Sequence, residues 1–246
     1  MQFLQAGSAL LEARSWDVAA EAYNKALALA KNDKDEKIRS YVDIHAMLGL
    51  AKVSYGQKAW AEAHSKLDDF IAKYPQNANV VEAYEMLTEV ASEEGRREQD
   101  ATRRQRLFNN AVSAVKKLRG FRKTQAEKDL INLRSGEITV RQMEAEEQMG
   151  LAEEAKDTCR RAVGTFLVFI QSHAPSPEHP AKDMTPAQLE NLERCYGTLL
   201  PLMVKLGSEH SDTVLEYGAA YNELFPEGKH KTAVQNAMAA AAADKK

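Results

Sequence analysis

Gln57-Lys58-Ala59-Trp60-Ala61-Glu62-Ala63 is the stretch on which the reading of this chain turns. A Trp follows directly on a polar break. The small Ala63 comes next, and Leu67 and Phe70 continue the three-and-four spacing of a helix. The same order stands earlier in Ser15-Trp16-Asp17-Val18-Ala19-Ala20-Glu21-Ala22-Tyr23-Asn24-Lys25-Ala26. Small residues at Ala19, Ala26 and Ala63 let two helix backbones approach closely, while Trp16, Tyr23, Trp60, Leu67 and Phe70 fill the gaps beside them. Gly7 and Ala51 fall midway along the helix that precedes each stretch. Trp60 is therefore expected at an inter-helix turn, with Ala63 facing the backbone near Ala51.

Working outward, helix-stopping breaks recur along the chain. They are Lys31-Asn32-Asp33, Tyr74-Pro75, Gly120, Pro175 with Pro177, and Phe225-Pro226, spaced by about fifty residues or slightly less. Between them apolar residues return at helical spacing, as in Val42, Met47, Leu50 and Val53, or Val80, Ala83, Tyr84, Leu87 and Val90. No two-residue alternation is found. The fold class read from this pattern is all-α, an α-solenoid of about five antiparallel helix pairs. The repeats are expected at 1–31, 32–76, 77–121, 122–177 and 185–227 within a domain 1–228, followed by a C-terminal Ala-rich capping helix and tail at 229–246.

Composition agrees with a packed helical chain. Among 246 residues 44% are hydrophobic and 28% charged, a globular balance, and 12 Gly with 7 Pro are too few for the frequent turns of a β-sandwich. No run approaches the length of a membrane-spanning helix, and Met1 runs straight into a helical pattern without a leader, which suggests a trimmed chain. Cys159 and Cys195 lack zinc-type spacing and read as small apolar residues on helix faces. Thr185 reads as a helix N-cap with Pro186 in the first helical position.

The Trp-small-aromatic-small segments around Trp16 and Trp60 resemble the tetratricopeptide repeat, with Pro75 as the closing Pro of the second repeat. Gly150-Leu151-Ala152-Glu153-Glu154-Ala155, with Ala162, matches the turn and second helix of a fourth. The third and fifth repeats match poorly, and a period of 44–50 residues exceeds the family's usual 34. Asp69-Phe70-Ile71-Ala72-Lys73-Tyr74-Pro75, followed by Ala83-Tyr84 and Leu87, resembles bacterial envelope proteins of the outer-membrane-assembly lipoprotein type. That likeness implies an extracytoplasmic, periplasmic setting and peripheral envelope association, although the lipid-bearing Cys of that type is missing.

No phosphate loop, dinucleotide fingerprint, nucleophile elbow or zinc-protease segment occurs, so no enzyme activity, cofactor or small-molecule substrate is expected. His173-Ala174-Pro175-Ser176-Pro177-Glu178-His179-Pro180 carries two imidazoles and a carboxylate, but its three prolines read as an inter-helix connector rather than a metal site. Two charge features stand out. Glu82, Glu85, Glu89 and Glu93 line one side of a helix. From Arg96 to Lys128 eleven Lys or Arg face only Glu98, Asp100 and Glu127, which gives +8 against −11 for the remainder of a chain at −3. In tetratricopeptide proteins the first helix of each pair lines a concave groove. The resemblance thus places the four glutamates there, with Lys52 and Tyr55 as neighbours. The expected function is a non-enzymatic scaffold for a peptide or protein partner, basic in character. The alternatives are a nucleic-acid or anionic-surface binder using Arg96 to Lys128, or a regulatory module cut from a larger protein. Nucleic acid is disfavoured because the segment interleaves only Phe108 and Phe121.

Overall fold

The computed structural model describes residues 1–176 and 180–244, and among these it is helical with no strand. Two compact units are present, Met1–Leu118 and Arg119–Lys246. The first holds α1 (Gln2–Glu12), α2 (Trp16–Ala30), α3 (Glu36–Gly56), α4 (Trp60–Lys73), α5 (Val80–Gly95) and α6 (Ala101–Lys117). The second holds α7 (Gln125–Gln148), α8 (Ala152–His173), α9 (Pro186–Leu206), α10 (Ser211–Leu224) and α11 (Lys231–Ala243). Within each unit every helix packs on the next in sequence, and first helices also meet, α1 with α3 and α7 with α9. The all-α repeat architecture read from the sequence is the one observed: among the described residues, five helix pairs and a final Ala-rich helix.

Three of the turns inside the pairs share one geometry. After α1, α3 and α7 the chain places Arg14, Lys58 and Gly150 at φ of 57°, 59° and 76°, the left-handed conformation that ends a helix. The next residue's N–H then reaches back five residues: Ser15 to the Leu10 carbonyl at 2.8 Å, Ala59 to Ser54 at 2.9 Å, and Leu151 to Glu146 at 2.9 Å. These are the turns of the three segments with the clearest repeat motif. Only the third uses Gly, so Arg14 and Lys58 hold a backbone region that their Cβ atoms disfavour.

Aromatic rings seated on glycines set how closely the paired helices approach. Tyr23 of α2 lies between Gly7 of α1 and Gly49 of α3; a methyl on Gly7 would stand 2.9 Å from the ring, and one on Gly49 closer still. Phe108 of α6 covers Gly95 of α5, and Phe166 of α8 covers Gly136 of α7. All three rings are buried. Ala63 is fully buried in a cluster with Ala51, Leu67, Phe70 and Ala83, and the Trp60 ring meets Tyr55 edge-on at 5.6 Å beside the turn, as expected.

Capping follows the sequence equally well. The Thr185 hydroxyl accepts from the Gln188 N–H, the Gln188 side chain accepts from the Thr185 N–H, and Pro186 opens α9. Cys159 and Cys195 are free and buried. Their thiols donate reciprocally across the α8–α9 crossing, Cys159 to the Leu202 carbonyl at 3.5 Å and Cys195 to that of Phe166 at 3.4 Å. Burial pushes both thiols up, so neither is a ready nucleophile. His173 closes α8, its Nδ1 donating to the Phe169 carbonyl at 2.8 Å. Pro177, Glu178 and His179 lie outside the described residues, among which no group of His, Cys, Asp or Glu is placed to hold a metal ion.

The turn geometry yields a direct prediction. Lys58→Gly removes the left-handed penalty while leaving the Ala59-to-Ser54 hydrogen bond intact. Chemical denaturation should show a gain of about 1 kcal/mol, and a loss of stability would contradict the assigned conformation.

Candidate partner-binding groove

In the unit Met1–Leu118, the first helices α1 and α3 and the start of α5 wall a groove of about 360 Å³. Its floor includes Tyr23, which reaches through from α2 because Gly7 and Gly49 leave room for the ring. The Tyr23 hydroxyl shares a hydrogen bond with that of Ser8 at 3.3 Å. The α3 wall presents Tyr41, His45 and Lys52 along one face at helical spacing. Tyr41 is 46% exposed, and its ring centre lies 4.3 Å from that of His45. Burial, with a smaller contribution from the Lys52 charge, holds the His45 imidazole below its ordinary range. Lys52 reaches across to Glu82 of α5 at 2.7 Å and ties the two walls together.

The glutamates singled out in the sequence share the α5 face, and the structure shows what holds its ends. Glu82 is paired with Lys52. Glu93 accepts from Arg96 at 3.0 Å and Arg97 at 2.9 Å. Burial is the largest single influence on Glu93 and pushes it up. The two guanidiniums together outweigh it, and the carboxyl ends below its usual range. Glu85 and Glu89 are half-buried between them. Tyr55 stands at the turn end of α3 against Trp60, beyond the residues that line the groove. Lys52 and Glu82 are thus brought together in the groove, whereas Tyr55 and Glu93 belong to its far, turn-side margin.

The first part of the basic stretch, Arg96 to Arg104, folds against its own acidic neighbours, while Lys116, Lys117, Arg119 and Lys123 are exposed. Beyond the two arginines on Glu93, Arg97 stacks over Trp60 at 5.1 Å. Arg103 pairs with Glu98 at 2.9 Å and reaches Glu94 at 3.4 Å. Glu94 in turn bonds the buried His64 at 2.8 Å. Arg104 is buried, its Nη1 donating to the Glu98 carbonyl at 3.3 Å, and Phe108 is sealed under Gly95. Neither Arg104 nor Phe108 is on offer to an outside ligand.

Tyr23, Tyr41 and His45 are groove residues that sequence reasoning does not select. The pattern marks Tyr23 as a packing residue alone. The spacing of Tyr41, His45 and Lys52 is the available signal, masked because α3 carries apolar residues around much of its circumference. In the unit Arg119–Lys246 the first helices are also bridged by charge. Arg194 of α9 holds Glu137 of α7 through two contacts of 2.5 and 2.6 Å, and Lys205 holds Glu147 at 2.8 Å.

No family model and no curated protein matches the chain. Among solved structures it is similar to a thermophilic tetratricopeptide-repeat protein of Thermus thermophilus, with 16% identity over 97% of this chain and 98% of that one and a TM-score of 0.37. It is also similar to a chain from the computational design of self-assembling cyclic homooligomers, with 16% identity over 96% and 91% and a TM-score of 0.26. At such scores the repeat architecture rests on the turns and ring-on-glycine seats described above.

The Lys52–Glu82 bridge is half-exposed, with 33% and 47% of the two side chains open to solvent. A double-mutant cycle with Lys52→Ala and Glu82→Ala should give a coupling of about 0.3–1 kcal/mol that shrinks with salt. A coupling of zero at low salt would mean the two walls are not tied at this point.

Proposed function

We propose that the protein is a non-enzymatic scaffold that holds a basic peptide or protein segment in the groove of the unit Met1–Leu118. The observation that carries this reading is the make-up of the walls. Helix α5 bears Glu82, Glu85, Glu89, Glu93 and Glu94 with no Lys or Arg, and α1 is uncharged from Gln2 to Leu11. Lys52 is the one lysine or arginine side chain among the groove-lining residues, and Glu82 engages it. The exposed Tyr41 ring adds a face over which a Lys or Arg side chain can stack. The lining itself is balanced by the Lys52–Glu82 pair, so it is the excess of carboxylate along α5 beside the groove that favours a cationic segment, through association rate as well as affinity.

The test is a random-peptide display selection on the protein, followed by measurement of the enriched peptides on a Glu82→Gln/Glu85→Gln/Glu89→Gln variant. The selected peptides should be rich in Lys and Arg. Three rim-type contacts at about 0–1 kcal/mol each should together weaken binding by about tenfold at low salt, and the salt dependence should flatten. Peptides without a basic bias, or unchanged affinity in the variant, would defeat the proposal.

A further inference from the structure

His45 is the groove side chain whose charge changes nearest to physiological pH, and its surroundings offer an imidazolium the Tyr41 ring but no carboxylate partner of its own. From α1 the groove receives the uncharged Leu4, Gln5 and Ser8, together with Met1 and its amino group; from α2 it receives the Tyr23 hydroxyl, already shared with Ser8. On α3 itself, Tyr41 lies 4.3 Å away ring to ring, and Lys52 sits two turns further along the same face. From α5 comes Glu82, preceded by the neutral Asn79, and Glu82 is engaged by Lys52 at 2.7 Å. A proton on His45 therefore enters a half-buried site beside a lysine, where the lining carboxylate already has a cationic partner.

We propose that His45 gates the groove: with the imidazole neutral the groove admits a cationic peptide segment, and protonation of the ring expels it. This rests on the reading of the groove as a basic-peptide site and adds its regulation. The new charge acts in two ways. It repels a Lys or Arg of the ligand directly, and it gives a net positive charge to a lining that the Lys52–Glu82 pair otherwise leaves balanced. It also removes the lone pair through which a neutral ring could accept a hydrogen bond from that ligand. Burial and Lys52 both oppose protonation, so release is displaced to the acid side of an ordinary histidine, and the groove stays open to its ligand at neutral pH.

The probe is a rhodamine-labelled Gly-Ser-Arg repeat peptide, with a Gly-Ser-Gln repeat as control, followed by fluorescence anisotropy at about pH 7.5 and about pH 5.5. The readout is the ratio of affinities at the two pH values, taken within each protein. For the parent the affinity should be lower at the lower pH by about twofold or more, and for His45→Gln the ratio should be close to one. In Lys52→Gln the midpoint of release should move to higher pH, which keeps the test open if the first variant folds poorly. A parent that binds equally at both pH values, or a His45→Gln protein that loses as much as the parent, overturns the gate alone. Failure of the arginine peptide to bind better than its glutamine control at the higher pH overturns the basic-peptide reading and the gate together.

Discussion

The Tyr23 ring lies between two glycines, Gly7 on α1 and Gly49 on α3, and α1, α2 and α3 are arranged around that insertion. A side chain from a second helix passes between two first helices because neither carries a Cβ where it passes. Once seated, the ring is 3% exposed and its hydroxyl is held by Ser8. The spacing of α1 and α3 then follows from ring thickness rather than from flexible aliphatic packing. Phe108 on Gly95 and Phe166 on Gly136 repeat the device inside other pairs. Rigid seats of this kind fix the first helices and leave the side chains beside them, such as Tyr41 and Lys52, to carry function.

That freedom is visible in how charge is distributed. The α5 face is acidic throughout, which an isolated helix tolerates poorly because like charges at i,i+4 repel. The fold offsets part of this cost locally, with Lys52 on Glu82 and two arginines on Glu93. These contacts lie at the two ends of the stripe and pin the walls there. Arg96, Arg97 and Arg103, which look available in the sequence, are engaged by α5 and its connection to α6, whereas Lys116, Lys117, Arg119 and Lys123 are exposed. An electrostatic surface read from residue counts is therefore a poor guide here, since pairing across helices decides which charges face outward.

Much of the fold is legible because the ring-and-small-residue pattern is written at helical spacing. Trp16, Ala19, Tyr23 and Ala26, then Trp60, Ala63, Leu67 and Phe70, announce the pairs, and Thr185-Pro186 announces the start of α9. The turns at Arg14 and Lys58 are not legible, since neither residue advertises a left-handed backbone; each turn is closed by the next residue's hydrogen bond back to the preceding helix, to Leu10 and to Ser54. The site is half legible. Glu82 and Lys52 can be named from their helices, but their bond joins residues on different repeats and needs the tertiary stack. Tyr41 and His45 carry no motif at all, and only the depth of the groove distinguishes them from ordinary surface residues. Gly120 marks a helix break beside the division between Leu118 and Arg119, but nothing in the local pattern marks it as the limit of two compact units.

If glycines beneath aromatic rings set the spacing of neighbouring helices, alanine at those glycines must cost stability. Gly164 of α8 has nothing within 4 Å of where a Cβ would stand, whereas Gly49 and Gly136 lie under Tyr23 and Phe166. Urea denaturation of Gly49→Ala, Gly136→Ala and Gly164→Ala therefore separates helix propensity from ring seating. Opposite signs are expected: a gain of about 0.5–1 kcal/mol for Gly164→Ala, and losses of about 1–3 kcal/mol for the other two. Stability gained in Gly49→Ala and Gly136→Ala, as in Gly164→Ala, would contradict the role assigned to the rings.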